Sequence, residues 1–161
     1  MMTKEWLDAV VEEANAALED LGYFIKTKET QHGEIRVECE SKTHMYYQIL
    51  PRKSNKLQIL LTVTKTILYT MLLTTDMYPE VYETSETTMQ MSVWRWMPNT
   101  NHSQSETLVK WTVFLEEDET LTIIGMNSQQ KTAPKQLTVG EYFKALIGAT
   151  RLAMEAAGGG E

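Results

Sequence analysis

The sequence has few of the residues on which recognisable catalytic and metal sites are usually built. It contains one cysteine, three histidines and eight glycines in 161 residues. A single cysteine excludes a disulfide within the chain, which agrees with a reducing compartment. The motifs of phosphate-binding and dinucleotide-binding loops, paired zinc cysteines, zinc proteases and serine hydrolases are all missing. We therefore expect no catalytic residue, no metal and no cofactor, although the sequence alone leaves enzymatic activity open.

A long uninterrupted apolar stretch is also missing. The most apolar segment, residues 57–73, contains Gln58, Lys65 and four threonines, whereas a membrane-spanning helix needs about 20 mostly apolar residues. The first 21 residues carry six acids among their apolar positions, unlike a signal peptide with its basic start and apolar centre. We expect a cytoplasmic protein that does not contact a membrane.

The composition is that of a folded domain. Hydrophobic residues make up 42% of the chain and charged residues 23%, close to the averages of globular proteins. A chain of this length fits one domain with one core. We predict a single globular domain over residues 1–161, in which residues 158–161 form a flexible tail.

The formal net charge is -7, and acids and bases are unevenly distributed. Residues 1–40 hold ten acids and four bases, residues 41–75 hold five bases and no acid, and residues 76–120 hold nine acids and two bases. Direct nucleic-acid binding is not expected, because proteins that bind phosphate backbones are usually basic. The asymmetry indicates either a charged partner surface or segments that neutralise each other in the fold.

Hydrophobic periodicity predicts helices at both ends of the chain and strands between them. Apolar residues recur at helical spacing in the first segment, with Gly22 as its cap, and Thr138 with Glu141 forms a capping box before the last. Helices are predicted over residues 3–21 and from residue 138 to about residue 157. Alternating residues predict strands over residues 23–29, 34–40, 44–50, 57–64, 88–97, 107–115 and 121–126.

The remaining segments are less regular. Residues 66–75 fit either a helix or a strand, residues 76–87 are predicted to form a loop, and residues 128–136 a polar connector. Together these elements predict an α+β fold: an antiparallel β-sheet of about six to seven strands, with the N- and C-terminal helices packed on one face.

This order of elements resembles the type III secretion chaperone-like fold, which includes YbjN-type proteins. The residues that carry the resemblance are the opening helix Trp6–Leu21, the hairpin Trp111–Met126 around Glu117 and Asp118, and the closing helix Tyr142–Met154. Proteins of this fold typically form dimers and bind other polypeptides without catalysis. The resemblance therefore implies a binding role with a protein partner, which includes a second copy of the chain.

Three tryptophans are the main candidates for a binding surface. Trp94 and Trp96 are two residues apart on a predicted strand and so share one face of the sheet, and we expect Trp111 across from them on the adjoining strand. Such residues either stabilise the sheet as cross-strand pairs or form an exposed apolar interface. The ten methionines fit a deformable contact surface as well as core filling.

Charged and metal-binding candidates are fewer. Arg52, Lys53 and Lys56 surround a predicted turn and could contact an anion or an acidic partner. A metal site of soft ligands would combine Cys39 with His32, Glu34 and His44. This set of residues lacks the closely spaced ligand pairs of structural zinc. The acids at residues 116–119 are expected to be solvated at a hairpin tip.

Three functions remain open from the sequence. The first is a non-catalytic protein-binding or chaperone-like domain that acts as a dimer. The second is a small-molecule-binding protein or enzyme, with a pocket between sheet and helices lined by His44, Tyr46, Tyr47 and Arg95. The third is an acidic decoy of a nucleic-acid-binding protein, suggested by the two acidic segments.

Overall fold

A computed structural model describes residues 4–127 and 130–158 of the chain. Within these residues there are three α-helices, one 3-10 turn and nine strands. The helices are α1 (Lys4–Leu18), α2 (Lys56–Leu72) and α3 (Val139–Gly158), and the 3-10 turn is Glu19–Leu21. The strands are β1 (Phe24–Glu29), β2 (Ile35–Glu40), β3 (Met45–Leu50), β4 (Met77–Glu83), β5 (Thr88–Trp96), β6 (Ser105–Leu115), β7 (Leu121–Asn127), β8 (Gln130–Lys131) and β9 (Lys135–Leu137).

Both predicted terminal helices are confirmed where the structure describes them. α1 ends at Leu18 and continues into the 3-10 turn, which Gly22 caps with a φ of 76°, the left-handed conformation common at helix ends. The last begins at the predicted capping box: the backbone N–H of Glu141 donates to Thr138 Oγ1 (3.1 Å), and the N–H of Thr138 donates to Glu141 Oε1 (2.9 Å). The predicted tail at residues 158–161 begins inside α3, because Gly158 is its last residue; residues 159–161 lie outside the described residues.

The strands form two antiparallel sheets, which corrects the predicted single sheet. β1, β2 and β3 form a three-stranded sheet in chain order. The second sheet has the order β4-β5-β6-β7, and the short strands β8 and β9 pair with β7. α2 joins β3 of the first sheet to β4 of the second, and it packs against strands of both sheets.

The segment that separates the sheets was predicted incorrectly. Residues 57–64, expected to be a strand, and most of the undecided residues 66–75 form α2. The helix is buried on most of its circumference, since twelve of its 17 residues are buried. An element that is apolar on almost all sides lacks the one-sided stripe by which a surface helix is recognised.

Two segments expected to be irregular contain strands. β4 lies within residues 76–87, predicted to be a loop, and pairs along its length with β5. Pro79 is compatible with this strand because β4 forms the edge of its sheet, where a missing N–H costs little. In the predicted connector, β8 and β9 pair with β7, while residues 128 and 129 lie outside the described residues.

The helices occupy the space between the inward faces of the two sheets. α2 contacts β2 and β3 on one side and β4 and β5 on the other, while α1 packs against α2 and α3. α1 contacts β1 and α3 contacts β6 and β9, so the terminal helices do not share one face of one sheet as predicted. Residues from both sheets and all three helices form one hydrophobic core, whose largest fully buried side chains include Tyr142 and Phe143.

Candidate functional site

Four rings in successive contact lie on the outward side of the second sheet. Along β5, Met89, Met91 and Val93 are fully buried, so the alternate residues Trp94 and Trp96 point away from the helices. The indoles of these tryptophans meet edge to face, with ring centroids 5.1 Å apart. The structure thus brings Trp94 and Trp96 together on one face, as the spacing predicts.

The neighbouring strand and loop extend this pair. Tyr78 on β4 lies directly opposite Trp94 in the sheet register, and the two rings are 4.9 Å apart. At the other end, the imidazole of His102 stacks on Trp96 at 5.2 Å with an interplanar angle of 14°. Tyr78, Trp94, Trp96 and His102 are called the aromatic face below. Its tryptophans are half-buried, and 44% of Tyr78 is exposed.

The β5–β6 loop holds His102 in place. Three of its residues, Asn99, Asn101 and His102, have positive φ values of 65°, 52° and 61°, a conformation that asparagine and histidine adopt more readily than most residues. The loop is closed by the N–H of Met97, which donates to Gln104 O (2.8 Å), and by Thr100 Oγ1, which donates to Met97 O (2.7 Å). The loop therefore has a defined path that places an imidazole against an indole.

Two shallow depressions border Trp96. One, of about 250 Å³, is lined by the indoles of Trp94 and Trp96 together with Glu80 and small polar side chains. The other, of about 340 Å³, lies between Tyr78, Trp96, His102 and Asp76. Each depression therefore combines aromatic rings with one carboxylate. The arrangement can hold extended or side-chain groups of a partner but encloses no deep pocket.

Trp111 does not join this surface, and its expected place beside Trp94 and Trp96 is corrected. The register places Trp111 opposite Met91, a residue of the buried face, and opposite Gly125 on β7. Its ring lies 6.3 Å from that of Tyr142 in the core. Trp111 also lines a groove of about 660 Å³ between β6 and α3, whose other walls include Met126 and Leu152.

The three basic residues near the β3–α2 turn have different surroundings. Arg52 is exposed and its Nε donates to the carbonyl of Gly33 at 3.4 Å, while Lys53 is exposed. Lys56 forms an ion pair of 2.7 Å with Glu119 of the β6–β7 hairpin. At this point a basic and an acidic segment of the chain neutralise each other, which is one of the two arrangements the charge pattern allows.

The four residues suggested for a pocket do not line one cavity together. Tyr46 stacks on Tyr69 of α2 at 4.8 Å, whereas Tyr47 faces outward beneath Arg36, with 3.7 Å between its ring centroid and the guanidinium carbon. His44 lies 6.0 Å from the ring of Tyr23. Arg95 Nε lies 2.6 Å from Glu106 Oε1, and another of its nitrogens donates to the carbonyl of Ala157 at the end of α3.

The surroundings of two further titratable groups, Cys39 and Asp118, shift their pKa values. Cys39 is fully buried, and burial raises the pKa of its thiol to about 11. In the acidic hairpin, hydrogen bonds from Thr120 lower the pKa of Asp118. Across the described ranges 4–127 and 130–158, no group of three or more histidine, cysteine, aspartate or glutamate side chains is placed to hold a metal ion.

Comparisons with protein-family models, curated proteins and solved structures found no match to this chain. None of the helices in the described ranges is both long and apolar enough to cross a membrane. The sequence patterns did not point to Tyr78, Glu80 and His102. The signal for the first two was the alternation along β4, in which Met77, Pro79 and Val81 are buried.

Proposed function

We propose that this chain is a non-catalytic protein-binding domain of the chaperone-like kind that acts as a dimer. The observation that carries the proposal is the aromatic face, in which four rings contact each other outside the core. Exposed clusters of large rings are unfavourable on an isolated surface and mark interaction sites when contiguous. Tryptophan and tyrosine are also the residues most enriched at the energetic centres of protein interfaces.

The position of the aromatic face supports binding by a polypeptide. It lies on β4 and β5, which are held from behind by the buried residues of the same strands and by α2. A binding surface on a sheet that is braced by a core loses little conformational freedom when a partner docks. The two depressions beside Trp96 give this surface relief that side chains of a partner can fill.

A second surface supports self-association. β3 forms one edge of the three-stranded sheet, and its outward residues are apolar and exposed: Met45 is 42% exposed, Tyr47 44% and Ile49 39%. Exposed hydrophobic edge strands pair readily with another strand, and two identical edges give the self-complementary contact of a symmetric dimer. We assign the dimer contact to β3 and the partner contact to the aromatic face.

The order of elements agrees with this proposal. One helix, three strands, a middle helix, a second set of strands and a closing helix follow each other along the described residues. The type III secretion chaperone-like fold has the same order, and the resemblance implies dimers that bind polypeptides without catalysis. The agreement is one of element order and supports the proposal at that level.

The groove between β6 and α3 favours a second candidate, a small-molecule-binding protein. Its volume of about 660 Å³ falls within the range of small-molecule sites, and Trp111, Met126 and Leu152 give it an apolar lining. Among the described residues that line it, Lys110 alone is charged, and its side chain lies on the opposite face of the sheet from that of Trp111. An uncharged apolar ligand would therefore suit this groove better than a charged substrate.

Site-specific photo-crosslinking in cells tests the partner contact. A photoreactive amino acid at Ser92, which lies on the outward side of β5 between Glu80 and Lys110 in the sheet register, should capture a discrete protein. The same group at Glu117, on the exposed β6–β7 hairpin, serves as the control. We expect the captured protein at position 92 alone, and we expect its loss when Trp94→Ala is added to a chain that retains its circular dichroism spectrum.

Native mass spectrometry tests the dimer and the alternative. The β3 contact would be supported by a dimer of bare mass that dissociates in Tyr47→Lys and persists in Tyr82→Lys. The second variant is a matched control, because the two tyrosines are 44% and 49% exposed. A monomer that carries a small-molecule adduct, lost on a Leu152→Glu substitution in the groove, would favour the second candidate. Capture of no protein at position 92 would remove the support for a protein-binding face.

A further inference from the structure

The charge around the aromatic face is one-sided. Between Lys65 and Arg95 the chain contains no lysine or arginine, and it contains four acids: Asp76, Glu80, Glu83 and Glu86. This stretch builds all of β4, the β4–β5 hairpin and most of β5. Two of the four rings of the aromatic face, Tyr78 and Trp94, therefore belong to a segment whose charged residues are all negative.

Two of these carboxylates lie at the rings themselves. Glu80 points outward from β4 two residues after Tyr78, and it lines the same depression as Trp94 and Trp96. Asp76 lines the second depression, with Tyr78 and Trp96. Each side of Trp96 thus offers an aromatic ring and a negative charge to a group that enters from solvent.

Among the described residues, the bases nearest to these carboxylates in the sheet register do not form ion pairs with them. Lys110 is the nearest base in the register, opposite Ser92 and so two strands away from Glu80, about 10 Å by the usual spacing of strands. Arg95 points to the other face and pairs with Glu106. The ion pairs found within residues 4–127 and 130–158 include neither Glu80 nor Asp76.

This combination favours a cationic occupant. A guanidinium or ammonium group is attracted to the face of an indole or phenol ring, and tryptophan is the most effective ring. Arginine suits the site better than lysine, because its planar group is weakly hydrated, stacks on rings and forms paired hydrogen bonds with a carboxylate. A nucleic acid would instead place its phosphates against Asp76 and Glu80, which like charges disfavour.

We propose that the aromatic face binds a basic segment of another polypeptide, with an arginine side chain lying over the Trp94–Trp96 pair and its guanidinium on Glu80. The proposal rests on the protein-binding function proposed above and names the chemistry of the partner. Asp76 provides a position for a second basic residue of the same segment on the other side of Trp96. The one-sided charge draws such a segment toward the face before contact is made.

A short fluorescein-labelled peptide that alternates arginine and serine tests the proposal with the full chain. Its matched control carries citrulline, the neutral isostere of arginine, at the same positions. Fluorescence anisotropy titrations are made for the wild type, Trp94→Ala, Glu80→Gln and Glu117→Gln. Glu117→Gln removes a carboxylate from the exposed hairpin at the end of β6 that is far from the aromatic face. Glu80→Gln and Glu117→Gln therefore each differ from the wild type by one charge only.

We expect the arginine peptide to bind and the citrulline peptide to bind at least tenfold more weakly. Trp94→Ala should weaken arginine-peptide binding about tenfold, as expected for the loss of a cation–π contact. Glu80→Gln should weaken it about fivefold, the upper range for an exposed ion pair, and Glu117→Gln should leave it unchanged. Glu80→Gln changes no packing, so it keeps the test valid even where Trp94→Ala perturbs the fold.

Three results would overturn this inference, and they differ in what they imply for the proposed function. Equal binding of the arginine and citrulline peptides, both weakened by Trp94→Ala, would reject the cationic partner while retaining a polypeptide-binding face. Equal losses for Glu80→Gln and Glu117→Gln would show attraction by net charge alone and reject the site. Absence of peptide binding combined with no crosslink from position 92 would reject the proposed function together with this inference.

Discussion

Thr64 of α2 and Tyr142 of α3 share a hydrogen bond of 2.8 Å between their hydroxyl groups, and both residues are fully buried. This bond links the middle helix to the closing helix inside the core. Because each hydroxyl is removed from water, each depends on the other for its partner. Burial also raises the pKa of Tyr142 well above its ordinary value, so the phenol is neutral at physiological pH.

Tyr142→Phe should therefore lower the free energy of unfolding by about 1–2 kcal/mol, because it leaves the Thr64 hydroxyl buried without this partner. The double variant Thr64→Val/Tyr142→Phe should recover most of the loss, since neither side then has an unsatisfied group. Urea denaturation of the wild type and the three variants forms a double-mutant cycle. Simple addition of the two single effects would contradict the proposed dependence.

Trp94 and Trp111 lie on opposite faces of the sheet, so their replacement should lower the stability of the fold by different amounts. Trp111→Ala should lower the free energy of unfolding by about 3 kcal/mol, because its ring packs against the core beside Tyr142. Trp94→Ala should cost only about 1 kcal/mol, the scale of a cross-strand aromatic contact. Chemical denaturation followed by circular dichroism measures both, and equal losses would place Trp94 in the core and remove the basis of the aromatic face.

The elements that sequence reasoning predicted well bury one face and expose the other. α1 and β2 show a one-sided apolar pattern with the period of a helix or strand, and β5 buries the alternate residues Met89, Met91 and Val93. The α+β class and the antiparallel pairing were predictable for this reason. Their division into two sheets was not, because that division depends on α2.

The sequence pattern predicts a strand over residues 57–64 of α2 and does not decide between helix and strand for residues 66–75, because the surroundings of α2 differ from those of a surface helix. Its residues pack against both sheets, so threonines such as Thr62, Thr66 and Thr70 are buried with the aliphatic residues between them. Thr66 and Thr70 donate their hydroxyls to the carbonyls four residues earlier, both at 2.7 Å, which satisfies them inside the helix. Alternation of leucine and threonine then resembles a strand, although it reflects burial on several sides.

The candidate site was only half predictable. The spacing of Trp94 and Trp96 placed them on one face, but the aromatic partners come from elsewhere in the chain. Tyr78 reaches Trp94 through strand pairing, and His102 reaches Trp96 through a loop with three residues in the left-handed region. Both relationships depend on register and backbone conformation, which residue spacing does not specify.

The start of α2 carries a signal that predicts a further effect. Asn55 Oδ1 accepts the N–H of Gln58 at 2.8 Å, and Gln58 Oε1 accepts the N–H of Asn55 at 2.9 Å, which is a capping box. Asn55→Ala should lower the free energy of unfolding by about 1 kcal/mol, whereas Asn55→Asp should retain most of it. Thermal unfolding compares the three chains, and an Asn55→Ala chain as stable as the wild type would contradict a helix that begins here.

The pH dependence of stability should report the burial of Cys39. Burial raises the pKa of its thiol to about 11 from an ordinary value of 9.0, while the unfolded chain loses this proton near the ordinary value. Between these two values the folded state binds more protons than the unfolded state, so the free energy of unfolding falls as the pH rises. We expect the decline to begin near pH 9 and to be reduced in Cys39→Ala.

The comparison is sharpest between about pH 8.5 and about pH 9.5, the interval in which an ordinary thiol ionises and an ordinary tyrosine largely does not. Above it, tyrosines whose pKa values are raised by burial, Tyr23, Tyr69 and Tyr142, add a decline that both chains share. Urea denaturation at several pH values measures the two slopes. Parallel curves for the wild type and Cys39→Ala would show that the thiol ionises equally in the folded and unfolded states. The Cys39 side chain has no exposed surface, and burial disfavours its charged form, so we do not expect this result.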